Sequence, residues 1–225
     1  MNTALSLLIT WRRYGPHGLI FRLADHPGDS VFERLQSISH SLEVSPPVGL
    51  VDYFRGFTTI TLEFEAAHAG SLEALADNLA RAWNVTPPYE GTPRRVEIPV
   101  VYDGPDLQRV ADHTGMSTEE VCFRHQSAHY RVHMLGFCPG FPYLHGLDPR
   151  LHTPRLDTPR PGVAAGAVAI GGEHTGIYPV NRPGGWNIIG HTNEKLFHPD
   201  RAGGSDPERA FLLRPGDLIR FVPTS

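Results

Sequence analysis

Residues 130–147 read YRVHMLGFCPGFPYLHGL, and this stretch decides how the second half of the chain folds. Apolar and polar residues alternate at its start, which predicts a strand beginning at Tyr130. In GFCPGFPYLHGL, residues 136–147, eight of the twelve residues are glycine, proline or aromatic. Proline fixes φ and removes an amide donor, whereas glycine permits positive φ and close backbone approach. No helix can cross this segment and a strand can enter only its start, so we predict a shaped loop of the kind that carries function.

Short β runs separated by glycine and proline follow this loop. They are GAVAIGG (166–172), TGIYPV (175–180), WNIIGHT (186–192) and FLLRPGDLIRFVP (211–223), with a Pro-Gly turn signal at 215–216. Two short helices precede the loop, one over residues 105–115 and one over residues 117–126, where Ser117 and Glu120 form a capping box. The pattern predicts an all-β barrel or sandwich with two leading helices.

The first hundred residues alternate between strand and helix patterns. Strand patterns cover residues 6–12, 18–24, 48–54, 58–65 and 96–103, and amphipathic helix patterns cover residues 30–43 and 71–83. Ser30 with Glu33 predicts a capping box for the first helix, and Ser71 predicts an N-cap for the second. The order β-β-α-β-β-α-β indicates an α+β sandwich with helices on one face of the sheet.

The proline-rich segment 86–95, TPPYEGTPRR, predicts the boundary between two domains. We therefore expect an α+β N-terminal domain of ferredoxin-like type over residues 1–92. An all-β barrel domain with the two leading helices is expected over residues 93–225.

Composition excludes several classes of function. The chain has 225 residues, 40 % hydrophobic and 20 % charged, with a net charge of −4. This balance argues against a nucleic-acid-binding surface and against a polybasic membrane anchor. The first apolar run, residues 4–11, is too short for a membrane span, and the arginines that follow it are in the wrong order for a signal peptide. We expect a cytoplasmic protein whose Cys122 and Cys138 are reduced.

Arginines and a tryptophan stand out in the two loops of the second half. Arg155 and Arg160 belong to Pro-Arg pairs in an extended segment, where guanidinium groups either bind an anion or pin the loop to acidic neighbours. Trp186 follows the tight turn Pro183-Gly184-Gly185 and either plugs the core or lines a pocket. If Arg160 serves the ligand, Arg160→Ala is expected to abolish activity of the assembled enzyme and leave the barrel folded.

Histidines near the first loop are candidates for chemistry. His125, His129 and His133 have helical metal-ligand spacing, but a strand from Tyr130 onward scatters them, so we expect no metal site. His125 alone, at a helix end, is a candidate acid/base or orienting residue, and equally an ordinary helix-terminal histidine. A nucleophilic pair of Cys138 with His125 is conceivable, although nothing nearby lowers the thiol pKa.

Seven motifs in order resemble the KipI family, also known as allophanate hydrolase subunit 1 or as PxpB, the B subunit of 5-oxoprolinase. They are GFCPGFPYL, LHTPR, a second TPR, GAVAIGG, TGIYP, PGGWNIIGHT and LLRPGD. The resemblance is close over residues 95–223 and looser before them. It implies a cyclophilin-like β-barrel after the α+β domain. It also implies a role within 5-oxoprolinase, which cleaves 5-oxo-L-proline to L-glutamate with ATP.

The resemblance further implies partners and a site for a small anionic substrate. One companion is a KipA-type protein, known as allophanate hydrolase subunit 2 or as the C subunit of 5-oxoprolinase. The other is a LamB/YcsF-type protein, the A subunit of that enzyme. The resemblance implies that the complex uses ATP, and the absence of a Walker A motif from this chain fits a subunit that relies on its companions for the nucleotide. The residues that match family motifs are His125 as a catalytic candidate and Gly140, Phe141, Tyr143, Arg155, Arg160, Gly166, Tyr178, Pro183, Gly184, Gly185 and Trp186 around the substrate.

Three positions depart from the family pattern. Val-Pro-Ala-Gly-Ser is VAAGA at 163–167, Gln-Thr-Gly is HTG at 174–176, and Pro-Arg-Arg is PRL at 154–156. If the missing serine or glutamine contacts the substrate, the ligand differs or the site is weakened. Two alternative functions stay open: an inhibitor of a sensor histidine kinase, and the carboxyltransferase half of a biotin-dependent urea carboxylase.

Overall fold

The computed structural model of the protein describes residues 9–87, 89–203 and 207–224. It contains two compact units, the first ending at Thr92 and the second beginning at Pro93. Within the described ranges, no helix combines the length and the hydrophobicity needed to cross a bilayer.

The first unit is a four-stranded antiparallel sheet with two helices. Its elements are β1 (Thr10–Tyr14), β2 (Gly18–Arg22), α1 (Asp29–Val44), β3 (Leu50–Arg55), β4 (Thr59–Phe64) and α2 (Leu72–Asn84). The strand order is β1-β2-β4-β3. Since β4 lies between β2 and β3, the strands that α1 connects, the arrangement is a split βαβ unit.

Alternating side chains build the core of the first unit. Leu19 of β2 lies opposite Leu62 of β4, and Phe21 lies opposite Ile60, so all four project from one face of the sheet. These side chains are fully buried with apolar residues from both helices. Trp83 of α2 meets Phe21 edge to face at 4.7 Å between ring centroids. The sequence prediction that helices cover one face is therefore confirmed.

Of the two predicted helix caps in this unit, the one at Ser30 is wrong, while Ser71 does occupy the N-cap position of α2 but makes no side-chain cap hydrogen bond. Helix α1 begins at Asp29 after Gly28, so the Ser30 hydroxyl lies inside the first turn and makes no cap. The Ser71 hydroxyl donates to the His68 carbonyl at 3.2 Å, because a 3-10 turn runs directly into α2. The first predicted strand starts at residue 6, which lies outside the described residues, and its described part is β1.

The second unit contains the remaining elements. They are β5 (Arg95–Val100), α3 (Leu107–Thr114), α4 (Thr118–Ser127), β6 (Tyr130–Leu135), β7 (Pro142–His145), β8 (Arg160–Val163), β9 (Ala167–Gly171), β10 (His174–Ile177), β11 (Arg182–Gly184), β12 (Asn187–His191) and β13 (Leu218–Pro223). Ser117 caps α4 by accepting the Glu120 amide at 3.2 Å, as predicted. Gly115 ends α3 with φ of 69°, a left-handed cap.

Seven strands form a nearly closed, barrel-like sheet. Their order is β12-β9-β10-β7-β6-β13-β5, and a bridge between Val101 and His191 joins the two ends. Strand β5 runs parallel to β13 and belongs to this sheet, so its placement in the first sheet was wrong. The sequence could not predict which sheet β5 joins, because the alternation of residues in one strand does not determine which strand pairs with it.

The two faces of this sheet carry different side chains. Leu144, Val168, Ile170 and Ile177 point into a fully buried core that also contains apolar residues of α3 and α4. Their neighbours in β7, β9 and β10 point to the outer face, since successive residues of a strand alternate. A two-stranded ribbon of β8 and β11 is paired separately from the large sheet.

Three features of the second unit were not predicted. Strand β7 lies within the segment that was expected to form an irregular loop. Strands β8 and β11 were not predicted because each contains proline and glycine. Residues 211–214, expected to form a strand, contribute only a bridge between Phe211 and Phe197.

Candidate functional site

Five rings from separate segments meet on the outer face of the barrel-like sheet. We call them the aromatic cluster: Phe137, Phe141, Tyr143, Tyr178 and Trp186. Phe141 lies at the centre, with ring centroids 5.1 Å from Tyr143, 5.2 Å from Tyr178 and 5.3 Å from Trp186. The rings meet at steep angles, which is the edge-to-face geometry that aromatic pairs favour. The structure thus joins the two loops that the sequence analysis singled out separately.

Small residues in the sheet leave the space that these rings fill. A Cβ atom on Gly171 would lie 2.5 Å from the Trp186 ring, and one on Gly176 would lie 3.0 Å from the Phe141 ring. A Cβ atom on Gly184 would lie 2.2 Å from the Tyr178 hydroxyl. These separations are shorter than van der Waals contact, so glycine at each position is required by packing.

Glycines in the loops set the direction of the chain around the cluster. Gly140 has φ of 82°, and a Cβ atom there would lie 3.2 Å from Phe197. Gly166 has φ of 85° and donates its amide hydrogen to the Tyr178 carbonyl at 2.7 Å. Both residues adopt the left-handed region that favours glycine. They hold Phe141 and Tyr178 at their places in the cluster.

Arg155 lies at the edge of the aromatic cluster. Its guanidinium carbon is 5.6 Å from the centroid of the Trp186 ring, within cation–π distance. Burial raises the pKa values of Tyr143 and Tyr178, and the positive charge of Arg155 opposes both shifts. Arg155 is exposed and forms no ion pair with any residue in the described ranges. The geometry is that of a cation available to a ligand beside aromatic faces.

Hydrogen bonds around Asn187 explain how Arg155 comes to lie over Trp186. The buried Asn187 side chain donates to the Pro154 carbonyl at 2.9 Å and to the Ile170 carbonyl at 3.1 Å. Its oxygen accepts from Arg109 Nε at 2.9 Å. The amide of Leu156 donates to the Gly185 carbonyl at 2.7 Å. The Pro-Arg segment is therefore fastened to the turn that contains Pro183, Gly184 and Gly185.

Arg160 has an acidic partner. Its Nη2 atom donates to Oδ1 of Asp106 at 2.6 Å, and the other Asp106 oxygen accepts the Ile188 amide at 2.7 Å. Asp106 is only 6 % exposed and precedes α3. This ion pair joins β8 to α3 and β12. Of the two roles considered for Arg160, the contact observed is the one that pins the loop.

His125 lies inside the barrel-like sheet with no exposed surface. The Thr175 hydroxyl donates to the Ala169 carbonyl at 3.0 Å, so it accepts from His125 Nε2 at 2.9 Å. His125 Nδ1 then accepts from the Tyr102 hydroxyl at 2.8 Å. Burial lowers the pKa of His125 to about 3, which keeps the ring neutral. Both ring nitrogens are occupied, so His125 orients Thr175 and forms no pair with Cys138.

The three histidines with metal-ligand spacing fall on separate elements, as the strand pattern from Tyr130 predicted. His125 lies in α4, His129 lies in the connection after α4, and His133 lies in β6. Burial raises the pKa of the Cys138 thiol, with the charge of Arg182 opposing the shift. A raised thiol pKa does not favour nucleophilic chemistry.

Comparison with known proteins identifies the family. The family described as "Carboxyltransferase domain, subdomain C and D" matches residues 9–205. The chain belongs to this family. It is 44 % identical over 194 residues to the B subunit of 5-oxoprolinase from Escherichia coli O157:H7, covering 85 % of each chain. It is 36 % identical to the B subunit of 5-oxoprolinase from Bacillus subtilis strain 168, covering 88 % of this chain and 87 % of that protein.

Two larger proteins contain a region similar to this chain. The crystal structure of TTHA0988 matches 92 % of this chain with a TM-score of 0.78 and 38 % identity, and the chain spans 40 % of the length of TTHA0988. Urea amidolyase of Saccharomyces cerevisiae is 24 % identical, and the chain spans 14 % of its length. The family resemblance predicted from the loop motifs is confirmed.

Two of the three departures from the family pattern lie at the aromatic cluster. Ala167 is buried among its rings, and His174 has its ring centroid 6.3 Å from that of Tyr143. Burial lowers the pKa of His174, which favours its neutral form. At the third departure, Leu156, the backbone amide donates a hydrogen bond to the Gly185 carbonyl, and this contact needs no particular side chain. Ala167 and His174 therefore change the surface next to the rings.

Sequence reasoning missed several residues of this site. Asp106 and Asn187 were not singled out, although Asp106 lies at the start of a predicted helix and Asn187 follows Trp186 directly. Arg182 and Phe137 were also passed over, and both lie next to residues that the motifs did mark. For Asn187, Arg182 and Phe137 the available signal was a position in or next to a marked motif, and for Asp106 it was the position at the start of a helix.

Proposed function

We propose that this chain is one component of an ATP-dependent amide-cleaving enzyme, a 5-oxoprolinase that converts 5-oxo-L-proline, ATP and water to L-glutamate. The observation that carries the proposal is the match along most of both chains to proteins named as the B subunit of 5-oxoprolinase. We also propose that the barrel is of the cyclophilin-like type and that the complex works in the cytoplasm.

The proposed enzyme contains two companions, a KipA-type subunit and a LamB/YcsF-type subunit. In the reaction, the lactam oxygen accepts the γ-phosphoryl group of ATP, which makes the ring carbon a better electrophile. ADP leaves, one water adds to that carbon, and the ring C–N bond breaks to give an acyl phosphate with a free amine. A second water then hydrolyses the acyl phosphate to L-glutamate and phosphate. Because this chain has no nucleotide-binding motif, its part in our proposal is to bind and orient the substrate.

The aromatic cluster is the proposed binding surface. Phe141, Tyr178 and Trp186 are buried and would support the site from beneath, while the half-buried Tyr143 would contact the ring of 5-oxo-L-proline. Arg155 would bind an anionic group, a carboxylate or a phosphoryl group. Gly140 and the turn Pro183-Gly184-Gly185 shape the backbone around these rings.

Arg160 and His125 serve the same site as positioning residues in our proposal. Arg160 is bound to Asp106 and His125 to Thr175. Each therefore acts on the ligand through a neighbouring element. This assignment replaces direct contact with substrate for Arg160 and proton transfer for His125.

The experiment is purification of the tagged protein from its own cells, followed by an assay of glutamate release from 5-oxo-L-proline with and without ATP. We expect ATP-dependent release, with both companion subunits in the eluate. A matched preparation carrying Arg155→Ala is expected to retain the companions and lose most of the release.

Other outcomes would replace the proposal. Companions without glutamate release would point to another amide or to carboxyl transfer, in line with the more distant similarity to urea amidolyase. A sensor kinase in place of the companions would favour an inhibitor.

A further inference from the structure

Arg182 is a second cation at the aromatic cluster, beside a different part of it from Arg155. In the ribbon it lies directly opposite Val163, which is buried in the cluster. Residues directly opposite in an antiparallel pair project from the same face, so Arg182 leaves the ribbon on the side of the rings. Arg182 is exposed, and no carboxylate in the described part of the chain pairs with it.

Phe137 belongs to the aromatic cluster that Arg182 faces from the ribbon, and it has an unusual backbone. The amide of Cys138 donates to the Gly136 carbonyl at 2.7 Å, which places Phe137 at the centre of a γ-turn with φ of 64°. It is the one non-glycine residue with positive φ among the described residues. For a bulky side chain this conformation is strained, and such strain concentrates at ligand sites.

The strained turn holds an aromatic ring out toward solvent. Phe137 is 59 % exposed, and its ring centroid lies 5.4 Å from that of Phe141 and 6.2 Å from that of Tyr178. If the Phe137 ring only filled the core, it would be buried. If the turn needed only its backbone conformation, glycine would adopt it without strain. The backbone strain at Phe137 thus lowers the stability of the fold, and the exposed ring is accessible to a ligand.

We propose that Arg182 and Phe137 form one side of the ligand site and recognise a small carboxylate attached to an apolar ring. Arg182 binds the carboxylate through charge-assisted hydrogen bonds, and the ring of the ligand packs against Phe137. Arg155, over Trp186, then binds the phosphoryl group that the lactam oxygen accepts in the proposed reaction. This inference rests on the proposed function, because it names the part of the substrate that each residue contacts.

The first test uses Arg182→Gln in the complex reconstituted with both companion subunits. We expect the KM for 5-oxo-L-proline to rise about 10- to 100-fold, with kcat changed by less than about threefold. The inhibition constant of 2-pyrrolidinone, a lactam without a carboxylate, should not change. Arg201→Ala, an exposed arginine in another segment, is the matched control and should behave as wild type.

The second test separates ligand contact from folding at Phe137. Phe137→Gly removes both the ring and the backbone strain, so Tm should stay unchanged or rise by about 2–4 °C, while KM rises several-fold. Phe137→Leu keeps an apolar side chain and should retain most of the affinity. A lower Tm for Phe137→Gly with unchanged KM would assign the ring to stability alone.

Carboxylate recognition and the proposed function fail in different ways. An active wild-type complex in which Arg182→Gln has a wild-type KM overturns this inference and leaves the proposed function standing. Equal weakening of 5-oxo-L-proline and 2-pyrrolidinone would also overturn carboxylate recognition. A wild-type complex that releases no glutamate overturns the proposed function, and this inference with it.

Discussion

Replacing His125 by glutamine is expected to remove an acid sensitivity from the second unit. The buried ring donates from Nε2 to Thr175 and accepts at Nδ1 from Tyr102. A glutamine side chain carries one donor group and one acceptor, so it can keep both hydrogen bonds without a titrating group. The substitution also removes the stacking of the His125 ring on Phe221, whose centroids are 4.6 Å apart, and this should cost about 1–2 kcal/mol at every pH.

The magnitude of the pH effect follows from the buried ring. Burial lowers the pKa of His125 to about 3, whereas in the unfolded chain the ring takes up a proton near its ordinary value of 6.5. Between these values the unfolded state binds one more proton, so the free energy of unfolding falls as pH falls. The loss approaches about 1.4 kcal/mol per pH unit, or about 2 kcal/mol between pH 7.5 and pH 5.

The assay is hydrogen exchange with mass spectrometry on peptides covering β9 and β10, in urea, at several pH values from 7.5 to 5. The difference between wild type and His125→Gln isolates this residue from the other histidines. His113→Gln, at an exposed position in α3, is the control and should keep the wild-type pH dependence.

One result would refute the reasoning. If His125→Gln and wild type lose stability equally as pH falls, the folded ring takes up its proton at an ordinary pKa, and it cannot be the dry, neutral group described above.

The remaining predictions concern three positions around the cluster. Gly171→Ala places a methyl group about 2.5 Å from the Trp186 ring and should lower the free energy of unfolding by about 1–3 kcal/mol in urea denaturation. Arg160→Ala leaves Asp106 buried without its cation and should cost about 1–3 kcal/mol, since the arginine is partly exposed, and adding Asp106→Asn should recover part of the loss. Arg155→Ala should change stability by less than about 0.5 kcal/mol and lower kcat/KM of the reconstituted enzyme about 10- to 100-fold.

Each of these predictions has a contrary outcome. A Gly171→Ala protein as stable as wild type would show that Trp186 is not tightly seated. An Arg160→Ala protein of unchanged stability but lost activity would return Arg160 to direct ligand contact. Unaltered kinetics in Arg155→Ala would remove Arg155 from the site.

Local patterns predicted the elements of this fold well where the signal was itself local. The capping box of Ser117 and Glu120 gave the start of α4 correctly. The similar pair Ser30 and Glu33 misled, because α1 begins at Asp29 and its N-cap position is Gly28, two residues before the predicted cap. Strand β7 was missed because proline and glycine on both sides hide the alternation of Tyr143 and Leu144.

Contacts between residues far apart in the sequence limited how much of the candidate site could be predicted. The rings could be predicted, since the family motifs contain them within short loops. The partner of Arg160 could not, because Asp106 is 54 residues away in the sequence. The position of Arg182 beside the cluster became clear only from the β8–β11 ribbon, and no local sequence pattern predicts the register of that ribbon. His125 shows the same limit, since its burial depends on strands that follow it in the chain.

The most direct measurement of the central claim is glutamate release from 5-oxo-L-proline by purified KipA-type and LamB/YcsF-type subunits, with this chain either added or left out. Our account predicts ATP-dependent release only when the chain is present, in proportion to its amount until the companions are saturated. Equal release without the chain, or none with it, would contradict the account.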